Sequence, residues 1–125
     1  MNNILKDNNK LKRMIISVYT IGVIGIFVPY TATFFVSLTP IVLLLSFVLL
    51  MLNHSGFDIK TILIYLIIFS TGLIVEMIGV NSGKIFGIYH YGETLGPKIA
   101  NTPLLMGLNW ILMIYMTASI VTNLK

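Results

Sequence analysis

The residues of this apolar chain that could do chemistry lie between residues 76 and 110, and the first of them is Glu76. Burial in an apolar surrounding favours the protonated form of a carboxylic acid, and a buried acid that holds a proton is a candidate general acid. Glu76 is therefore the first candidate catalytic residue. The alternative is a structural glutamate that bonds to a backbone amide or to Asn109.

Glycines accompany this acid at helical spacing. Gly72, Glu76, Gly79 and Gly83 recur at i, i+4, i+7 and i+11, so they share one face if the helix continues that far. Small residues let another helix approach closely in a membrane. We expect Glu76 to point at protein rather than at lipid.

Aromatic side chains and one amide follow in the same stretch. Aromatic faces attract positive charge and would stabilise a cationic intermediate, although Tyr and Trp also form interfacial belts that have no catalytic role. The spacing of the aromatics with the glycines favours a shaped pocket. We expect these substrate-binding residues: Gly79, Gly83, Phe86, Gly87, Tyr89, Tyr91, Asn109 and Trp110.

Further polar residues of this stretch are candidate catalytic groups. Asn81, His90 and Glu93 could position a water molecule or pass a proton, with turn formation and loop solvation as the alternatives. Lys84 and Lys98 are predicted to anchor the loop at the lipid headgroups. His54 is predicted to lie in a turn, together with Asp58.

The sequence has no pattern typical of a metal or nucleotide site. It contains no cysteine, no paired Asp-rich motif for magnesium and no glycine-rich nucleotide fingerprint. We therefore expect neither a metal nor a cofactor. Proton chemistry remains: hydration, isomerisation or cyclisation.

The composition predicts a membrane protein. The chain is 57% hydrophobic and 10% charged, whereas soluble domains are about 25% charged. Its net charge of +4 does not indicate nucleic acid, because basic residues crowd the N-terminus instead of forming a face. Basic residues on that flank predict a cytoplasmic N-terminus in the cell (inner) membrane.

The fold class predicted is an all-α integral membrane protein. A basic cytoplasmic segment, residues 1–13, precedes a single membrane domain, residues 14–125. Pro29 should kink or end the first span, and Thr39-Pro40 resembles the start of the second. A long ordered loop rich in glycine and aromatics joins the third span to the fourth. The predicted spans are about 14–36, 39–53, 59–80 and 104–122.

The motif from Glu76 to Trp110 resembles a known family. It is similar to the membrane carotenoid-biosynthesis proteins that include bisanhydrobacterioruberin and γ-carotene hydratases. The similarity lies in the acid, the glycines, Phe86-Gly87-x-Tyr89-x-Tyr91, Leu95-Gly96, Pro103-Leu104 and Asn109-Trp110. The resemblance covers about residues 70–118.

The resemblance implies addition of water to the terminal double bond of an acyclic carotenoid. Glu76 would protonate the alkene, Tyr89, Tyr91 or Trp110 would shelter the carbocation, and Asn81 or Glu93 would hold the water. The partners implied are a lipophilic polyene and membrane lipid. Family members are longer, so this chain is expected to be a fragment, an inactive remnant, or a minimal form that works as a homo-oligomer or with other carotenoid enzymes. The alternatives are a carotenoid-binding or non-catalytic membrane subunit and an end-group cyclase.

Overall fold

The computed structural model describes residues 8–53, 56 and 58–123. Helices dominate this part of the chain, as predicted. The connection between the third helix and the fourth contains a 3-10 turn, Glu93–Leu95, and two short strands, β1 (Lys98–Ile99) and β2 (Thr102–Pro103), which the all-α prediction did not include. The helices are α1 (Asn8–Phe27), α2 (Pro29–Asn53), α3 (Ile59–Ser82) and α4 (Leu105–Asn123).

Two of these helices are long and apolar enough to cross a membrane. The segments Pro29–Leu52 and Ile59–Ser82 each contain 24 residues, which at about 1.5 Å per residue exceed a hydrocarbon core of about 30 Å. The apolar parts of α1 and α4 are shorter, Arg13–Phe27 and Leu105–Ala118. These features fit a membrane protein, and the four-span topology stays a prediction.

The first of two compact units comprises Met1–Asn53. Within it α2 packs antiparallel to α1. The Tyr19 hydroxyl donates to Ser46 Oγ at 3.2 Å, and the Phe35 ring lies against Gly25. Near the bend that joins the helices, Thr31 Oγ1 donates to the carbonyl of Gly25 at 2.8 Å.

The bounds of this pair of helices differ from the predicted ones. The first helix ends at Phe27, and Pro29 begins α2, where a proline suits the first turn because its missing N–H would be unpaired there anyway. Thr39-Pro40 does not start a helix, since Pro40 lies inside α2; membrane helices tolerate internal proline. At the other end, residues 8–13 belong to α1 rather than to a separate segment, and residues 1–7 lie outside the described residues.

The second unit comprises His54–Lys125. Asp58 caps α3, because its carboxylate accepts from the backbone N–H of Thr61 at 2.9 Å and from the Thr61 hydroxyl at 2.6 Å. The predicted turn at His54 lies outside the described residues. Gly83 ends α3 in the left-handed conformation, φ 64°, and its N–H donates to the carbonyl of Gly79 at 2.9 Å.

A small hairpin forms the end of the α3–α4 connection. β1 pairs antiparallel with β2, with Ile99 opposite Thr102. Ala100 and Asn101 make the two-residue turn with φ of 47° and 64°, the positive values that a type I′ turn requires. Thr102 is fully buried with Pro103, and β2 contacts α3. β2 is therefore part of the packed core of this unit, whereas Ile99 in β1 is half-exposed.

Candidate active site

Three donors surround the carboxyl group of Glu76 on α3, which is only 6% exposed. The Tyr89 hydroxyl donates to Glu76 Oε1 at 2.6 Å, and the Tyr91 hydroxyl donates to the same oxygen. The indole N–H of Trp110 points at Oε2 from 3.4 Å, a long hydrogen bond. The sequence nominated all four residues, and the structure brings them together. We call Glu76, Tyr89, Tyr91 and Trp110 the acid cluster.

The two tyrosines reach Glu76 because the chain turns back after α3. Gly83 and Gly87 have φ of 64° and 88°, conformations that side chains with a Cβ rarely adopt. The Tyr89 and Tyr91 rings then meet edge to face, with centroids 5.5 Å apart and planes at 84°. This geometry aims both hydroxyls at one oxygen.

Glycines on α3 make room for the aromatic rings. A Cβ at Gly79 would lie 2.7 Å from Cδ2 of Phe86 and 3.6 Å from the Tyr89 hydroxyl oxygen. A Cβ at Gly72 would lie 2.7 Å from Trp110 Cβ. The Phe86 ring thus packs against Gly79, and the Trp110 ring, from α4, packs against Gly72 about two turns earlier in α3. Glu76 lies between these two glycines on α3, and its side chain is surrounded by protein.

Both tyrosines hold their protons more firmly than an exposed tyrosine does. Burial is the largest cause that raises the pKa of Tyr91, followed by its hydrogen bond to Glu76 and the negative charge of that carboxylate. The pKa of Tyr89 is raised for the same reasons in the same order. The hydroxyls are therefore protonated donors at ordinary pH.

Lys98 lies beside the acid cluster and binds two groups of the connecting loop. Its ammonium donates to the backbone carbonyl of Tyr91 at 2.9 Å and to Glu93 Oε1 at 2.7 Å. The Glu93 side chain is 94% exposed. The structure therefore places Glu93 in a surface ion pair with Lys98, and its predicted role in holding a water or passing a proton stays a prediction.

The Asn81 side chain forms three hydrogen bonds near the end of α3. Its amide N–H groups donate to the carbonyls of Met77 and Ala100, each at 2.8 Å. Its amide oxygen accepts from Asn101 Nδ2 at 2.9 Å. Asn81 thus ties the end of α3 to the hairpin turn, and its predicted role in holding a water stays a prediction.

The remaining nominated residues border the acid cluster. Phe86 is half-exposed, and Asn109 Nδ2 contacts Met113 Sδ at 3.8 Å instead of Glu76. Gly83 and Gly87 contribute backbone shape. Lys98 is the residue that sequence reasoning assigned differently, because its contact with a backbone carbonyl depends on the hairpin and leaves no pattern in the sequence. Among the residues that the structure describes, no three His, Cys, Asp or Glu side chains are grouped as metal ligands.

Comparison with known proteins agrees with the resemblance. Residues 34–125, which include the whole acid cluster, match the family model described as carotenoid biosynthesis protein. The chain belongs to this family. The carotenoid biosynthesis family is thus confirmed for the chain, while the hydratase subgroup stays a prediction. Searches of curated proteins and of solved structures found no match.

Proposed function

We propose that this carotenoid biosynthesis protein adds water to the terminal double bond of an acyclic carotenoid end. The observation that carries the proposal is the acid cluster: one buried carboxyl group on an apolar helix, with Tyr89, Tyr91 and Trp110 around it. An ionisable residue within a membrane segment is a functional-site hypothesis by default. The family supplies the class of substrate.

The reaction uses only a proton and a water molecule. Glu76 is the proton source, and the π-electron pair of the alkene forms the new C–H bond at the less substituted carbon. The other carbon becomes a tertiary cation, which the faces of Tyr89, Tyr91 and Trp110 stabilise. Water adds to that carbon, and the proton it loses returns to the Glu76 carboxylate. The product is a tertiary alcohol, and the enzyme is restored.

The setting of this reaction is part of the proposal. We place the protein in the cell membrane with its N-terminus in the cytoplasm, where the basic residues of the N-terminal flank would hold it. A polyene longer than this small unit would reach past it into lipid or into another copy of the chain. Self-association would then complete the enclosure of the substrate.

The first test is expression in a bacterium that accumulates lycopene, with pigments analysed by chromatography and mass detection. We expect a more polar pigment that is heavier by one water, and its loss in Glu76→Gln, which keeps the size of the side chain but removes the acid. Asp58→Asn is the matched control. It makes the same change of carboxylate to amide, and asparagine caps a helix about as well as aspartate.

The alternatives give different pigments. A cyclase that shares the protonation step would make an isomer of lycopene. A carotenoid-binding or non-catalytic subunit would leave the pigment unchanged in a membrane that contains the folded protein. Full hydration by Glu76→Gln would refute the role of the acid while leaving the activity established.

A further inference from the structure

Three groups contact the Glu76 carboxyl group, and each of them donates a hydrogen bond to it. Oε1 accepts from two tyrosine hydroxyls, and Oε2 faces the indole N–H of Trp110. The indole can only donate, whereas a tyrosine hydroxyl can either donate or accept. When Glu76 carries a proton on Oε1, one of the two tyrosine hydroxyls must therefore turn and accept that proton in a hydrogen bond.

A hydroxyl that turns in this way presents its own hydrogen elsewhere. A proton that leaves Oε1 toward a substrate then passes through a tyrosine oxygen, because both hydroxyl groups lie against Oε1. Direct contact between Oε1 and an alkene carbon would require both tyrosines to move away. The two hydroxyl contacts at Oε1 thus favour a relay over direct transfer from this oxygen.

The two tyrosines differ in how they are held. Tyr91 is the more deeply packed of the two, and Lys98 fixes its backbone carbonyl. Tyr89 follows Ile88, whose side chain is 88% exposed, and its hydroxyl lies beside the bare backbone of Gly79. Tyr89 is therefore the partner on the open side of the acid cluster.

We propose that the Tyr89 hydroxyl is the group that touches the alkene and delivers the proton, with Glu76 as its source. In one step the Glu76 O–H bond breaks as a new O–H bond forms on Tyr89. The original Tyr89 O–H bond breaks as the C–H bond forms on the substrate. Water capture then returns a proton to Glu76. This proposal rests on the proposed hydration and specifies the atom that performs its first step.

The acidity of the tyrosines agrees with such a coupled step. Burial and the neighbouring Glu76 raise the pKa of Tyr89, so an ionised tyrosine is disfavoured at this place. In the relay the Tyr89 oxygen receives one proton as it releases another and never carries a full negative charge. The stronger acid, the carboxyl group, supplies the driving force.

The test compares Tyr89→Phe with Tyr91→Phe, two variants that each remove one hydroxyl from the same carboxyl oxygen. Hydration of lycopene is followed in membranes that contain equal amounts of folded protein, with helicity and detergent stability checked by circular dichroism. We expect Tyr89→Phe to lose about 10²-fold or more, the range of general acid catalysis. Tyr91→Phe should lose about tenfold at most, as expected for one hydrogen bond.

A proton inventory separates a relay from a merely structural role. The rate in mixtures of H₂O and D₂O should depend on the deuterium fraction along a curve in the wild type and in Tyr91→Phe, because two protons move together. It should fall on a straight line for the residual activity of Tyr89→Phe. Equal losses in the two variants, or a straight line in the wild type, would overturn the relay without affecting the hydratase assignment.

If no hydrated pigment forms at all, the proposed function is rejected. A second measurement then tests the hydrogen bonding between Glu76 and Tyr89 without using activity. Infrared difference spectra of the purified protein would follow acid titration, with isotope-labelled tyrosine and with Glu76→Gln to assign the carboxyl band. Protonation of Glu76 should shift the C–O stretch of Tyr89 from that of a donor to that of an acceptor. A Tyr89 band that stays unchanged while Glu76 takes up its proton would contradict the proposal.

Discussion

Replacing Gly72 by alanine tests the contact that brings Trp110 to Glu76. The new Cβ would lie 2.7 Å from Trp110 Cβ, whereas ordinary contact begins at 3.4 Å. The gap must grow by about 0.7 Å, and since Cβ is fixed to the backbone, rotation of the indole cannot provide it. The two helices must separate instead, and the Trp110 bond to Glu76, already 3.4 Å long, is expected to break.

The expected free-energy change follows from two opposing terms. Overpacking of a close contact costs about 1–3 kcal/mol, and alanine is about 1 kcal/mol better than glycine inside a helix. The net destabilisation is therefore about 0–2 kcal/mol. Gly22→Ala is the matched control, because Gly22 is also helical and has nothing within 4 Å of its added Cβ. Only the helix-propensity gain applies there, so the two variants should differ by about 1–3 kcal/mol.

The assay uses the fact that Trp110 is the only tryptophan of the chain. Its fluorescence reports on the contact directly, and unfolding by SDS in mixed micelles, followed by circular dichroism, gives the stability of both variants. We expect a shifted emission maximum and a lower midpoint for Gly72→Ala, and neither for Gly22→Ala. Unchanged emission together with an unchanged midpoint in Gly72→Ala would refute the packing of Trp110 on this glycine.

Three further predictions concern the connection between α3 and α4. Ala100→Gly should stabilise the protein by about 1 kcal/mol, because Ala100 adopts a positive φ of 47° that glycine accepts without strain. An Ala100→Gly variant that is less stable than wild type would contradict this turn. Asn81→Ala should lower the SDS midpoint, because it removes the hydrogen bonds that tie α3 to the hairpin turn. Alkaline pH should destabilise the protein. Folding raises the pKa of Tyr89 and Tyr91 above the value of about 10 that tyrosine has in the unfolded chain. The stability that these two hydroxyls contribute is therefore complete below about pH 10, and it is lost as pH rises through their pKa values in the folded protein. Midpoints measured from about pH 8 to 12 should fall less steeply in Tyr91→Phe.

The sequence identifies the members of the acid cluster but not how they contact one another. Residue type and glycine spacing were enough to nominate Glu76, Tyr89, Tyr91 and Trp110. The prediction treated the aromatics as faces for a cation, whereas the structure directs two hydroxyls and an indole N–H at the acid. Their direction depends on how the loop reverses after α3, and spacing along the chain does not specify such a reversal.

The roles predicted for Asn81 and Glu93 show the same limit. Their partners are Ala100, Asn101 and Lys98, all in or beside a hairpin that lacks the Asn-Gly or Asp-Gly signal of a type I′ turn. Without that turn, the sequence does not reveal the partners of either residue, so a chemical role stood beside turn formation and loop solvation. The start of α2 at Pro29 was missed for a related reason: an unbroken apolar run gives no period that marks where one membrane helix ends and the next begins.

The positions of the acid cluster residues along the chain determine the order in which they are synthesised. Tyr89 and Tyr91 follow Glu76 by 13 and 15 residues, while Trp110 follows by 34. During synthesis α3 leaves the ribosome before α4, carrying a carboxyl group that is costly in hydrocarbon. The connecting loop carries both tyrosine hydroxyls, so the partners of Oε1 are synthesised before the fourth helix. Trp110 is the last member of the acid cluster to be synthesised.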